Sequence, residues 1–261
     1  MSARGHQGLL LGSGNGGDPF FSYVRSLAHF EGIDGATTTT DQIAGRTWTR
    51  ENYGTNGVCQ LSTSQAKAGA SSLRHTDRDY QFRTDAAVIN STSGTTPHTL
   101  EVWARLDDLS GPIYNRHVLC SQEAGGGSSE QQLMVGYDAA NEGKICFYQA
   151  ASLAGGTALE LKGSAVSAAV INTWNHFAFD FDGTAIRLFQ NGVLAAKLVR
   201  GYGWKMTSNP FRLCQGIVSG YQSFRQGFNG YIDEFRATYG VSRYGSDAGF
   251  AVPATPFPDH A

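Results

Sequence analysis

The stretch NHFAFDFDGTAIRLFQNG, Asn175 to Gly192, constrains the fold more than any other part of the chain. Phe177, Phe179 and Phe181 alternate with small or polar residues, and Ile186 and Leu188 alternate beyond Asp182-Gly183; a period of two belongs to a strand with one apolar face. Asp-Gly between two such runs signals a two-residue hairpin turn. A turn at Asp182-Gly183 predicts Phe181 opposite Thr184, Phe179 opposite Ile186 and Phe177 opposite Leu188, with all five apolar side chains on one face. Asn191-Gly192 offers a second turn. A two-residue loop there sets Leu188 opposite Ala195 and Ile186 opposite Lys197, so the pattern predicts a bulge or a longer loop.

The same period recurs in HTLEVWARL, where Leu100, Val102, Ala104 and Leu106 point one way and Glu101, Trp103 and Arg105 the other, as in a half-buried strand. Strand-like runs follow around Val118–Cys120, Gln132–Tyr137, Lys144–Gln149, Ala158–Leu161, Arg212–Gln215 and Gly230–Ala237. The 33 glycines against 7 prolines, with 15 Phe, 11 Tyr and 4 Trp, fit tight turns joining aromatic-rich strands. No long amphipathic helix is present; STSQAKAGASSL (Ser62 to Leu73) predicts one helical turn, and GGGSSEQ (Gly125 to Gln131) a loop tip. A chain of 261 residues with many short strands predicts an all-β sandwich or jelly roll over residues 20–261. Residues 1–19 are Gly-rich, carry Leu9, Leu10 and Leu11, and close on Asp18-Pro19, which predicts a flexible extended arm. Gly12, Gly14 and Gly17 fit G-x-G-x-x-G but lack the flanking strand and helix of a dinucleotide site.

With 20 Lys+Arg against 22 Asp+Glu, the chain has no basic excess to hold nucleic acid or anionic lipid. No segment approaches a membrane span, and the leucine run is too short for a signal-peptide core, so the expectation is a protein made without Sec export and with no membrane insertion. The sequon Asn90-Ser91-Thr92 is then expected to stay unmodified. Cys59, Cys120, Cys146 and Cys214 are far apart, with no metal-binding spacing; they read as buried free thiols, with one disulfide still open.

Several phrases resemble the concanavalin A-like (laminin G-like) jelly roll in the version common in bacteriophage structural proteins. DPFFSYVRSLAHFEGIDGATTTTDQ is similar to the family's opening strand and H-F-(D/E)-G turn, and CQLSTSQAKAGASSLRH to its S-x-x-x-A-K-x-G-x-S-S-L segment. HTLEVWARL and WNHFAFDFDGTAIRLFQNG resemble its E-x-W and W-x-H-x-A…G…F-x-N-G strands. FNGYIDEFRATYGVSRYGSDAGFAVPATPFP resembles its closing signature. Where the family often has D-G-x-x-D-Y, this chain has HTDRDY, His75 to Tyr80, without the glycine.

Glycan hydrolases share that jelly-roll shape and use carboxylates spaced by two on one strand. Asp233 and Glu234 are adjacent, and strand neighbours point to opposite faces, so they read as scaffold together with Arg236, satisfying one another or loop backbone near a sheet edge. Asp180 pairs in spacing only with Asp182, which belongs to the hairpin turn. His29 and His176 read as packing or hydrogen-bonding residues, and no G-x-S-x-G, H-E-x-x-H or P-loop is present. No catalytic residue or cofactor is assigned. Calcium has one candidate, Asp77 and Asp79, though two carboxylates flanking Arg78 supply only part of the six to eight oxygens the ion takes. For a sugar or protein surface the candidates are aromatic residues in loops: Tyr202 and Trp204 in RGYGWKM (Arg200 to Met206), whose glycines would leave both rings accessible, with Tyr114 and Tyr221.

The resemblance implies a non-enzymatic virion component of a tail, fibre or capsid surface, assembled in the host cytoplasm and released by lysis. The arm, through Leu9, Leu10 and Leu11, would tie it to other virion proteins. A homo-oligomer and contact with a host-cell glycan are the further expectations. A free lectin, with or without calcium, and a glycan hydrolase are the alternatives. Loss of particle incorporation on deleting residues 1–19 would favour the first reading; a glycan array indifferent to the arm would favour the lectin.

Overall fold

The alternating runs fold as strands, and their apolar faces close on one another as two stacked sheets. A computed structural model describes residues 17–43, 45–85, 88, 94–110, 116–123, 130–154, 156–205, 208–217 and 225–261. In chain order the strands begin with β1 (Val24–Ala28), β2 (Thr38–Thr40), β3 (Thr47–Asn52), β4 (Val58–Ser62), β5 (Ser72–Thr76) and β6 (Tyr80–Thr84). They continue with β7 (His98–Leu106), β8 (His117–Glu123), β9 (Glu130–Val135), β10 (Ile145–Gln149), β11 (Leu159–Lys162) and β12 (Trp174–Phe181). The last are β13 (Ala185–Gln190), β14 (Val193–Val199), β15 (Phe211–Leu213), β16 (Gly216–Ile217), β17 (Arg225–Gln226) and β18 (Gly230–Tyr239). Sheet A has the order β14-β13-β12-β7-β18-β5-β4, with β1 also on β18, and sheet B the order β11-β10-β9-β8-β15-β6-β3-β2; every pairing is antiparallel.

Phe177, Phe179 and Phe181 from sheet A meet Phe147 and Phe211 from sheet B in one dry core, all fully buried. Each such ring contributes roughly 1.5–3 kcal/mol by leaving water. Leu100, Val102, Ala104 and Leu106 join them, as the alternation predicts. All four cysteines are buried free thiols, so no disulfide forms; burial pushes Cys59 up to about 12 and Cys146 to about 11.

The Asn175–Gln190 hairpin keeps its predicted face and changes its partners. Phe181 stands opposite Ile186 and Phe179 opposite Leu188, because the tip is Gly183-Thr184, one residue later than the Asp-Gly signal. The cause is the Asp182 side chain, whose Oδ1 accepts from Thr184 N and Ala185 N at 2.8 Å each and caps the turn from outside. At the next turn Asn191 (φ 51) and Gly192 (φ 76) form a two-residue loop, and the predicted bulge lies beside it: the register shifts between Leu188 and Phe189, so that Leu188 faces Ala196 and Ile186 faces Leu198.

Three expectations are corrected. Ser62–Leu73 is not helical; it is the end of β4, a loop and the start of β5. The polar side of β7 is not exposed: Glu101 and Trp103 are buried beneath the first and last described segments. Asp18, assigned by sequence to the flexible arm, is 3% exposed and pairs with Arg236 (3.1 Å) and Arg243 (2.5 Å), so the packed body begins at or before it.

Candidate functional site

Sheet A is closed on much of its outer face by an ionic layer. Glu101 accepts from Arg236 (Nε, 2.9 Å) and from Tyr244 Oη (2.6 Å) and lies 3.1 Å from His176 Nε2. Burial would raise the Glu101 carboxyl, but Arg236, with His176 and Arg243, holds it far below the usual carboxylate range.

Asp233 and Glu234 lie in the same layer, and here simple alternation fails. Glu234 takes φ 53 and the β18–β7 register shifts between Asp233 and Arg236, a bulge that leaves both carboxylates outside while Ile232 and Phe235 both enter the core. Their strand is also central rather than at a sheet edge. The scaffold reading of their chemistry holds all the same. Asp233 Oδ2 accepts from Lys67 N (2.8 Å) and Ala68 N (3.2 Å), and Glu234 accepts from Phe257 N (2.6 Å) and pairs with His29 (2.7 Å). Burial, then the charge of Glu234, pushes Asp233 up to about 8. With 0% and 2% exposure, neither reaches a substrate.

Sheet B presents a different outer face. One cross-strand register line runs through all eight of its strands: Thr38, Thr49, Arg83, Arg212, Ser121, Gln132, Tyr148 and Glu160. Their strand neighbours Trp48, Phe82, Leu213, Cys120, Leu133, Phe147 and Leu161 face the core, so the whole line points outward. Gln215 and Gly216 cross its middle: Ser121 Oγ donates to Gln215 O at 2.6 Å, and a Cβ on Gly216 would stand 2.6 Å from the Gln132 amide. Two open ends remain.

At one end Glu51 accepts from Tyr53 Oη (2.5 Å) and Gln81 and pairs with Arg83, whose Nε lies 3.0 Å away. Burial, then this bond to Glu51, pushes the Tyr53 hydroxyl up to about 12, so it stays a neutral donor. At the other, half-buried Tyr148 stands beside Glu160, which accepts from Tyr137 Oη and lies 3.6 Å from Lys162 Nζ. Arg116 and Lys162 lie 4.0 and 4.3 Å from the Tyr137 ring centroid. The face thus offers hydroxyl, amide, carboxylate and guanidinium groups beside phenol rings, a surface suited to a hydroxyl-rich ligand.

The sequence candidates fall elsewhere. Trp204 is fully buried at the centre of the core, 5.5 Å from Phe147 and 5.8 Å from Phe211, so its ring is unavailable. Gly203 does not expose it; a Cβ there would stand 2.6 Å from Phe181, and the glycine lets the chain press in. Tyr202 is half-buried, its hydroxyl donating to Ala154 O (2.8 Å) and Arg200 lying 3.5 Å from its ring centroid. Tyr114, Tyr221, Leu9, Leu10 and Leu11 lie outside the described residues. Asp77 takes a left-handed backbone (φ 69) at this turn; its carboxylate accepts from Arg78 N, whereas Asp79 accepts from Asn56 N. Among the described residues no three acidic, His or Cys side chains gather as a metal site, and Asp77 and Asp79 recruit no third.

Residues 77–241 match the family model described as the concanavalin A-like lectin/glucanases superfamily. The chain belongs to that superfamily. Among solved structures of similar shape is domain 4 of AbnA, an extracellular arabinanase of Geobacillus stearothermophilus, in complex with arabinotriose: TM-score 0.59, 16% identity, covering 84% of this chain and 93% of that one. The binding domains of Paraclostridial Mosquitocidal Protein 1 (TM-score 0.54, 13% identity) and of botulinum neurotoxin serotype D (0.53, 12%) cover 85% and 88% of this chain, which spans 50% of each. At these identities the likeness establishes a shared fold. No curated protein sequence matches this superfamily member.

Proposed function

We propose that the chain is a non-catalytic carbohydrate-binding jelly roll that takes a glycan along the outer face of sheet B. The observation that carries this reading is the line of polar side chains through eight strands, open at the Arg83 and Tyr148 ends. A scaffold strand needs polar residues facing water, but it does not need two guanidiniums and a phenol on one register line. The non-catalytic part rests on Asp233 and Glu234 being committed to backbone and His29 under the terminal segment. The sequence resemblance supplies the setting: a bacteriophage particle, attached through residues 1–16, with copies of the chain adding avidity to weak individual contacts.

A glycan array on the full chain, Tyr148→Ala and Arg83→Ala tests the binding. Wild type should select a small set of glycans, and each variant should weaken them roughly tenfold, the worth of one charge-assisted hydrogen bond or one ring contact. Unaltered binding by both variants would remove sheet B as the ligand face. Co-purification with intact virions tests the setting, and the deletion that tests the arm stops at residue 16 because Asp18 holds Arg236 and Arg243.

A further inference from the structure

Beside the terminal segments the sheet A outer face carries a second register line, Gln60, Arg74, Tyr231, Arg105 and Trp174, on five neighbouring strands and all half-exposed, with Trp174 at the margin, packed against the cluster those segments cover. The Tyr231 ring stands between two guanidiniums, with Arg74 Cζ 4.6 Å and Arg105 Cζ 5.5 Å from its centroid. Both arginines draw on one carboxylate. Arg74 Nη1 lies 2.5 Å from Asp107 Oδ2, Arg105 Nη1 lies 3.0 Å from Asp107 Oδ1, and each oxygen is thereby used. Arg105 Nη2 turns to a neutral acceptor, Asn172 Oδ1, at 2.9 Å. The neighbouring Asp108 is engaged by Asn229 Nδ2 (2.5 Å) and by His117 (3.4 Å). Among the described residues no second carboxylate lies within ion-pair distance of either arginine.

Two like charges in one row cost stability unless something offsets them, and Asp107 offsets one. The remaining positive charge sits beside two aromatic rings, with guanidinium N–H groups still facing solvent. We propose that Arg74 and Arg105, with Tyr231 and Trp174, form a binding site for the anionic group of an acidic saccharide. The guanidiniums take the carboxylate or sulfate through charge-assisted hydrogen bonds, and the rings seat the sugar face. This site is separate from the sheet B face.

The test is calorimetric titration of the full chain with three disaccharides, one uronate-bearing, one sulfated and one neutral, at low and moderate salt. Backbone and Arg Nε–Hε shifts are followed in parallel. Saturable binding of the uronate or the sulfated sugar, with shifts at Arg74, Tyr231 and Arg105, supports the site, and the better of the two identifies the anion. Arg74→Gln and Arg105→Gln should each weaken that binding roughly tenfold and flatten its salt dependence, Tyr231→Ala should weaken it too, and Arg200→Gln should leave it unchanged. Equal binding of the neutral sugar, no effect of either arginine variant in a normally melting protein, or shifts confined to sheet B would overturn the proposal. The last outcome would leave the sheet B reading standing.

Discussion

Replacing Glu101 by glutamine removes one buried charge and almost no volume, so its effect isolates the ionic layer that closes sheet A. In the native chain two positive groups, Arg236 and Arg243, face two negative ones, Asp18 and Glu101. Glu101 is 1% exposed and Arg236 3%, so water cannot reach in to replace the lost partner. The substituted amide would still accept one hydrogen bond from Arg236, but a net positive charge would remain buried, with Asp18 as its remaining counter-ion among these four groups. Breaking a buried pair from one side costs about 3–5 kcal/mol. For a domain of this size that lowers the melting midpoint by on the order of 10 °C. Urea and thermal unfolding followed by circular dichroism measure the loss. Arg236→Met in the Glu101→Gln background removes both charges, and the double variant should be more stable than the sum of the singles by roughly 0.5–3 kcal/mol. A Glu101→Gln protein within about 1 kcal/mol of wild type, or strictly additive singles, would refute the reasoning.

His98 gives a pH dependence. Its Nδ1 lies 2.8 Å from Thr96 O and its Nε2 accepts from Trp204 N at 3.1 Å, so the buried ring is held neutral, and burial lowers it to about 4 from 6.5. A lowered histidine leaves stability fully present above the unfolded value and loses it as pH falls from 6.5 toward 4, here by about 3 kcal/mol. His29, raised by Glu234 against its burial, and Asp233, pushed up to about 8, act in the opposite direction, so the quantity to measure is the difference in urea midpoint between wild type and His98→Gln across that window. Equal slopes would refute the assignment. Gly230→Ala places a Cβ about 2.1 Å from Arg105 O at φ 147 and should cost roughly 1–3 kcal/mol or more, read from chemical denaturation. Trp204→Ala should cost about 3–5 kcal/mol by opening the centre of the core; a solvent-exposed tryptophan would cost almost nothing.

Strand identity and face were legible because alternation is a direct image of the pleat: Phe177, Phe179, Phe181, Leu100 and Val102 all lie where their spacing puts them. Register was less so. The hairpin tip moved by one residue because the Asp182 side chain caps Thr184 and Ala185, a bond that no apolar pattern records. The bulge at Glu234 has no glycine to announce its left-handed backbone, so alternation put Asp233 and Glu234 on opposite faces when they share one. Glycines around Trp204 suggested access, whereas Gly203 serves close approach to Phe181. The sheet B line could not be seen in advance, since aligning Arg83, Gln132 and Tyr148 requires the pairing of strands distant in sequence and the register shift between Val118 and Cys120.

The most direct test of the account is amide-shift mapping of the isotopically labelled chain with a neutral glycan selected on the array. The account predicts saturable shifts concentrated at Thr49, Arg83, Tyr148 and Glu160, with the Glu101 and Asp233 layer unmoved. Shifts centred on Asp233, Glu234 and His29, or cleavage of the glycan during the titration, would contradict it.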